Sequence, residues 1–105
     1  MKFGLPSETI ETIHRILRQH RGVAQAIIYG SRAKGTDRAG SDIDLTLIGE
    51  QLSYEDILHI MRELYESAIP YTVDVSLFDD IEDTAVRQHI RRWGQVFYER
   101  SEQSS

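Results

Sequence analysis

Apolar positions change their period several times along this chain, and each change marks an element. Ile10, Ile13, Ile16 and Leu17 recur at three-to-four spacing as one stripe, which predicts a helix over 7–20. Pro6-Ser7 is its expected entry, with Ser7 placed to cap free N–H groups and Glu8 at the positive end of the dipole; Arg21-Gly22 is its stop. The run from Val23 to Tyr29 is short, apolar, rich in β-branched residues and closed by Gly30, the pattern of a largely buried strand. Residues 31–34 fit a short helix, 35–41 read as a loop, and 42–48 as a second strand.

Beyond Gly49-Glu50-Gln51, the stretch Ser53-Tyr54-Glu55-Asp56 has capping-box spacing ahead of Ile57, Met61 and Leu64, so a helix is expected to run to Ser67. Ile69-Pro70 ends it, because proline cannot continue a helix. Residues 71–77 alternate like a strand, with Thr72, Asp74 and Ser76 on one face and Val73, Val75 and Leu77 on the other. A last helix is expected over 81–93, with Val86, Ile90 and Trp93 as its core stripe and Gly94 as its stop. Val96-Phe97-Tyr98 is expected to dock as a short extended segment, and 101–105 to form a flexible tail. The order α-β-α-β-α-β-α implies a single α/β domain over 1–100, a small sheet flanked by helices.

Composition narrows the function. With 105 residues there is room for one core only. The absence of cysteine excludes disulfides and thiolate metal sites, and no run has the length or hydropathy of a signal peptide or membrane span, so a cytoplasmic protein is expected. A net charge of -5 argues against an extensive nucleic-acid footprint.

Chemistry concentrates between Ala26 and Leu47. On a strand, residues i and i+2 share a face roughly 6.5–7 Å apart, so Asp42 and Asp44 can reach one cation, with Ile43 and Leu45 facing the core. Taken alone, this pair is equally a polar strand edge. Gly30-Ser31 ends the first strand: the glycine lets a ligand approach the backbone, and the N–H groups of the turn with the Ser31 hydroxyl can cradle a phosphate. Its plainer reading is a strand-to-helix turn with Ser31 as cap. Asp74, among valines in the third strand, is costly to bury unless exposed, paired or bound to a cation. If the second and third strands are neighbours, the three carboxylates share one surface, and such hard oxygen ligands select Mg²⁺ or Mn²⁺. His14, His20, His59 and His89 show no metal-site spacing and read as surface helix positions. Arg87, Arg91 and Arg92 read as a solvated basic face, with docking of an acidic partner as the alternative.

Gly30-Ser31, ten intervening residues, Asp42-Ile43-Asp44-Leu45 and then a lone Asp74 together resemble the polymerase-β-like nucleotidyltransferase superfamily. The fuller run Tyr29-Gly30-Ser31-Arg32-Ala33-Lys34-Gly35 with Ser41-Asp42-Ile43-Asp44-Leu45 is similar to its minimal nucleotidyltransferase (MNT) branch. The resemblance implies an α/β nucleotidyltransferase fold with a small mixed sheet. It implies that Asp42 and Asp44 hold two Mg²⁺ ions on a nucleoside triphosphate, that Gly30 and Ser31 grip its phosphates, and that Asp74 binds one metal and helps activate the attacking hydroxyl. Arg32 is expected to add charge to the phosphate site, and Lys34 to remain a loop residue.

MNT proteins often accompany a small helical protein of the HEPN type as its antitoxin, and some transfer AMP from ATP to it. The resemblance therefore implies an enzyme whose acceptor hydroxyl sits on another chain, working as a homo- or hetero-oligomer. The competing expectation is a catalytically silent nucleotide-binding module that controls its partner by complex formation.

Overall fold

The computed structural model of the protein describes residues 2–38 and 40–100. Helix α1 (Ser7–Arg18) leads to strand β1 (Gln25–Tyr29), a short helix α2 (Ser31–Lys34) and strand β2 (Ile43–Ile48). Helix α3 (Tyr54–Glu66), strand β3 (Val73–Leu77), a 3₁₀ turn at Phe78–Asp80, helix α4 (Thr84–Trp93) and strand β4 (Gln95–Glu99) complete it. The expected tail, 101–105, lies outside the described residues.

The four strands form one mixed sheet in the order β3-β2-β1-β4. Strand β1 runs antiparallel to both β2 and β4, whereas β2 and β3 are parallel. The parallel pair needs a crossover, and α3 supplies it. Alternation sorts the two faces. Ala26, Ile28, Ile43, Leu45, Leu47 and Val75 turn to the side where α1 and α3 lie, joining Ile13, Ile16, Leu17, Ile57, Ile60 and Leu64 in the core. The other face, carrying Tyr29, Asp44 and Asp74, meets α4.

Local signals set most element ends. Ser53 accepts from the Asp56 N–H at 3.2 Å while Asp56 accepts from the Ser53 N–H at 2.9 Å, the expected capping box. Bonding to Ser53 also holds the Asp56 carboxyl below its usual range. Ser7 differs from expectation: it is the first helical residue, Pro6 occupies the cap position and no side chain caps α1. The last helix starts at Thr84, three residues later than its apolar stripe implies, because Asp83 accepts from the Ala85 N–H and the 3₁₀ turn holds the preceding residues out of the helix.

The segment 95–99 is a full edge strand, with a bulge. Ala26 pairs with Tyr98 and Ile27 with Val96, so Phe97 is the extra residue. The bulge explains why neighbours Phe97 and Tyr98 are both buried. It also frees the Phe97 carbonyl, to which His14 Nε2 donates at 2.7 Å. The strand is secured at its end by Arg100, which donates to the carbonyls of Val23, Arg18 and His20. Three of the four histidines thus have structural partners, His20 pairing with Glu63 and His89 with Gly30; His59 alone fits the surface reading. Among the described residues no helix is long and apolar enough to cross a membrane.

Candidate active site

Strand pairing builds the site. Tyr29 on β1 is the register partner of Asp44 on β2, and Asp44 is the register partner of Asp74 on β3, so the three side chains form a row across the sheet. Asp42 stands one residue before β2, two positions from Asp44 and therefore on the same side. Ile43 N–H donates to the Thr72 carbonyl at 2.9 Å, holding the start of the two strands in step. One row further in, Thr46 pairs with Ser76, and the Ser76 hydroxyl donates to Thr46 Oγ1 at 3.0 Å.

Asp42 and Asp74 are exposed and Asp44 is partly buried between them. Burial pushes the Asp44 carboxyl above its usual range, and the charges of Asp74 and then Asp42 push it further, while the positive charge of Arg32 opposes this. Tyr29 is raised by burial, against a hydrogen bond to Ser76, and further by Asp44 and Asp74. The row is therefore a place where negative charge is crowded and cation is scarce.

Gly30 links the row to α2. Its φ of 78° and ψ of -154° belong to a region reserved in practice for glycine, and a Cβ there would overlap Asp44 Oδ2. Ser31 opens α2 half-buried, and its carbonyl accepts from the Thr36 N–H at 2.9 Å. The Gly30-Ser31 turn and the carboxylate row thus sit against each other.

Arg32 has a different task from the one expected. It is 4% exposed, and its guanidinium donates to the carbonyls of Ser41, Asp42, Phe3 and Gly4 at 2.7–3.3 Å. Asp37 lies 3.5 Å away, and Tyr71 packs its ring under the guanidinium at 5.2 Å. Arg32 ties the loop between α2 and β2 to the N-terminal segment, and reaches the site through its charge on Asp44.

The remaining basic residues divide. Lys34 stands over the Trp93 ring at 5.2 Å, and Trp93 is 39% exposed, contrary to the core position expected for it. Arg87 is no part of a solvated face: it donates to the carbonyls of Phe78 and Ile81 and stacks on Phe78. Arg91 and Arg92 remain exposed.

His89 is the site neighbour that sequence reasoning missed. It accepts from the Gly30 N–H at 3.1 Å, and the two residues are 59 positions apart, so no local pattern marks the pair. Among the described residues no three His, Cys, Asp or Glu side chains stand together as a ready metal cage.

A family model for polymerase beta nucleotidyltransferases matches residues 11–103. The chain belongs to that nucleotidyltransferase family. The match covers every strand and all of the carboxylate row, so the row occupies the sheet of a nucleotidyltransferase domain. No curated protein sequence matches significantly. Among solved structures, a chain of a toxin-antitoxin crystal structure with AMP-PNP superposes with a TM-score of 0.69 at 21% identity, covering 89% of this chain and 75% of that one. A chain of the MntA-HepT toxin-antitoxin complex gives 0.66 at 18% identity, over 94% and 76%. The complex of a tri-AMPylated Shewanella oneidensis HEPN toxin with its MNT antitoxin gives 0.65 at 18% identity, over 93% and 75%. At these identities the likeness is one of fold, and the nucleotidyltransferase sheet is shared.

Proposed function

We propose that this nucleotidyltransferase moves AMP from ATP to a hydroxyl on a HEPN-type partner protein, with Mg²⁺, and thereby acts as the antitoxin of a toxin-antitoxin pair in the cytoplasm. The observation that carries the proposal is the register of Asp44 with Asp74, with Asp42 beside them: three carboxylates crowd one row, and burial and repulsion have raised Asp44. A purely structural sheet gains nothing from that crowding.

The donor set is made of hard oxygens and carries surplus negative charge, which fits Mg²⁺. Asp42, Asp44 and Asp74 are the residues that would hold it, and a pair of such ions supplies charge neutralisation on the triphosphate and a more acidic attacking hydroxyl. The chain's own part is placement. Gly30, lacking a Cβ, leaves Asp44 unobstructed. Gly30 and Ser31 face the phosphates from the end of β1. Asp74, exposed in β3, takes the proton of the acceptor hydroxyl as its oxygen bonds to the α-phosphorus and pyrophosphate departs. Arg32 holds the loop that leads into Asp42.

Two of the structural relatives support the partner and nucleotide, one solved with AMP-PNP and one with an AMPylated HEPN toxin. The competing reading is a silent nucleotide-binding module that controls its partner by contact. Incubation with the partner protein, labelled ATP and Mg²⁺ separates them. Label on the partner, lost in Asp42→Asn with Asp44→Asn, is the expected result. Unlabelled partner that is still inhibited by the double variant would establish the module.

A further inference from the structure

Helix α4 brings His89 onto the turn that carries Gly30. The Gly30 N–H donates to Nε2 at 3.1 Å, and the imidazole stands edge-on to the Tyr29 ring, centroids 6.1 Å apart and planes at 74°. A backbone N–H can only donate, so Nε2 carries the lone pair and the ring proton of the neutral form sits on Nδ1. The helix presenting this ring is fixed at both ends. Asp83 caps its start, Arg87 holds the carbonyls of Phe78 and Ile81, and Gln95 just past its end donates to the Ala33 carbonyl in α2 at 2.9 Å. Its C-terminal Gly94 is packed against Ile27 of β1.

The turn needs such an anchor. Gly30 is the residue in the site with the widest choice of backbone conformations, and in the one it adopts, at φ 78°, it lies so close to the Asp44 carboxylate that a Cβ would overlap Oδ2. A neighbour that captures its N–H removes that freedom. We propose that His89 is a positioning residue of this active site: by accepting the Gly30 N–H it holds the Gly30-Ser31 turn in the conformation that admits Asp44 and receives the triphosphate. The ligand in this statement rests on the nucleotidyl-transfer reading, whereas the anchoring does not.

Two substitutions separate anchoring from bulk. His89→Leu keeps the approximate volume and removes the acceptor; His89→Gln returns an acceptor oxygen. The measurements are amide exchange at Gly30 by NMR, imidazole ¹⁵N shifts in the wild-type protein, and titration with ATP and Mg²⁺. In the leucine variant Gly30 exchange is expected to accelerate about 5- to 10-fold and ATP affinity to fall by a similar factor, the range of one hydrogen bond of this kind. The glutamine variant recovers most of both, a rescue that a merely space-filling histidine would not need. The wild-type spectrum is expected to show Nδ1 protonated and Nε2 bare.

A protonated Nε2, or equal Gly30 exchange in the wild-type and leucine proteins, would overturn the anchor. Faster exchange with unchanged ATP affinity would overturn its positioning role. Should the leucine variant not fold, the wild-type tautomer and the glutamine variant decide alone. Failure of the wild-type protein to bind ATP would sink the nucleotidyl-transfer reading, while the exchange result still judges the anchor.

Discussion

Gly30 and Asp44 share a space that only a hydrogen atom fits: a Cβ on Gly30 would overlap Asp44 Oδ2, on a backbone already at φ 78°. Gly30→Ala therefore meets backbone strain and a displaced carboxylate together. We expect a loss of about 1–3 kcal/mol in stability from the backbone conformation. Transfer activity should fall further than this loss explains, because Asp44 is the residue pushed aside. Urea unfolding beside single-turnover labelling of the partner distinguishes the two; unchanged labelling in a fully folded variant would contradict the shared-space account.

Asp44 has its carboxyl raised by burial, by Asp74 and by Asp42. Between its ordinary value of 3.8 and its raised folded value, the native state binds more protons than the unfolded chain, so stability declines as pH rises through that window and stays reduced above it. Asp44→Asn removes the penalty. Its Tm should exceed that of the wild-type protein at pH 7 and lose that advantage toward pH 3. Mg²⁺ should raise the wild-type Tm at pH 7 and leave the asparagine variant little changed. Scanning calorimetry with and without the metal tests both.

Arg32 is buried with its donors on four backbone carbonyls. Its removal strands those acceptors and the Asp37 charge, so Arg32→Ala should cost roughly 3 kcal/mol or more. Arg32→Lys should recover little, since an ammonium cannot span the fork that reaches both Ser41 and Phe3. Chemical denaturation gives the answer. A stable Arg32→Ala protein with impaired ATP binding would return this residue to the phosphates.

Ala68 has φ 65°, just after Ser67, the residue that caps the C-terminus of α3. An L side chain is strained in that region and glycine is at ease. Ala68→Gly should stabilise the protein by about 0.5–1 kcal/mol, with a rise in Tm of roughly 2–8 °C for a domain of this size. Thermal unfolding monitored by circular dichroism is sufficient, and a lowered Tm would show that the strain is relieved in some other way.

Much of the fold could be read from local pattern. The apolar stripe of α1, the capping box of α3 and the alternation of β3 lie within a few residues of one another, and each element formed where its period placed it. The first turn of α4 was less legible. Asp83 and the 3₁₀ turn decide where that helix begins, and neither is part of its apolar stripe. Strand β4 was only half visible, because its bulge places Phe97 and Tyr98 on the same side and erases the alternation that marks a strand.

Local pattern alone settles three of the four strands, the helices apart from the start of α4, and the spacing that puts Asp42 and Asp44 on one side of a strand, since all of these follow from the rise and period of a local backbone. Strand order is another matter. Only with β3 placed parallel beside β2 does Asp74 become the partner of Asp44, and only with α4 laid over the opposite face does His89 meet Gly30, 59 residues away. The same holds for Arg32, whose four carbonyl partners come from two separated segments. Those pairings depend on how the whole apolar surface is buried at once, and a carboxylate or guanidinium carries no local mark of the neighbour that burial will give it.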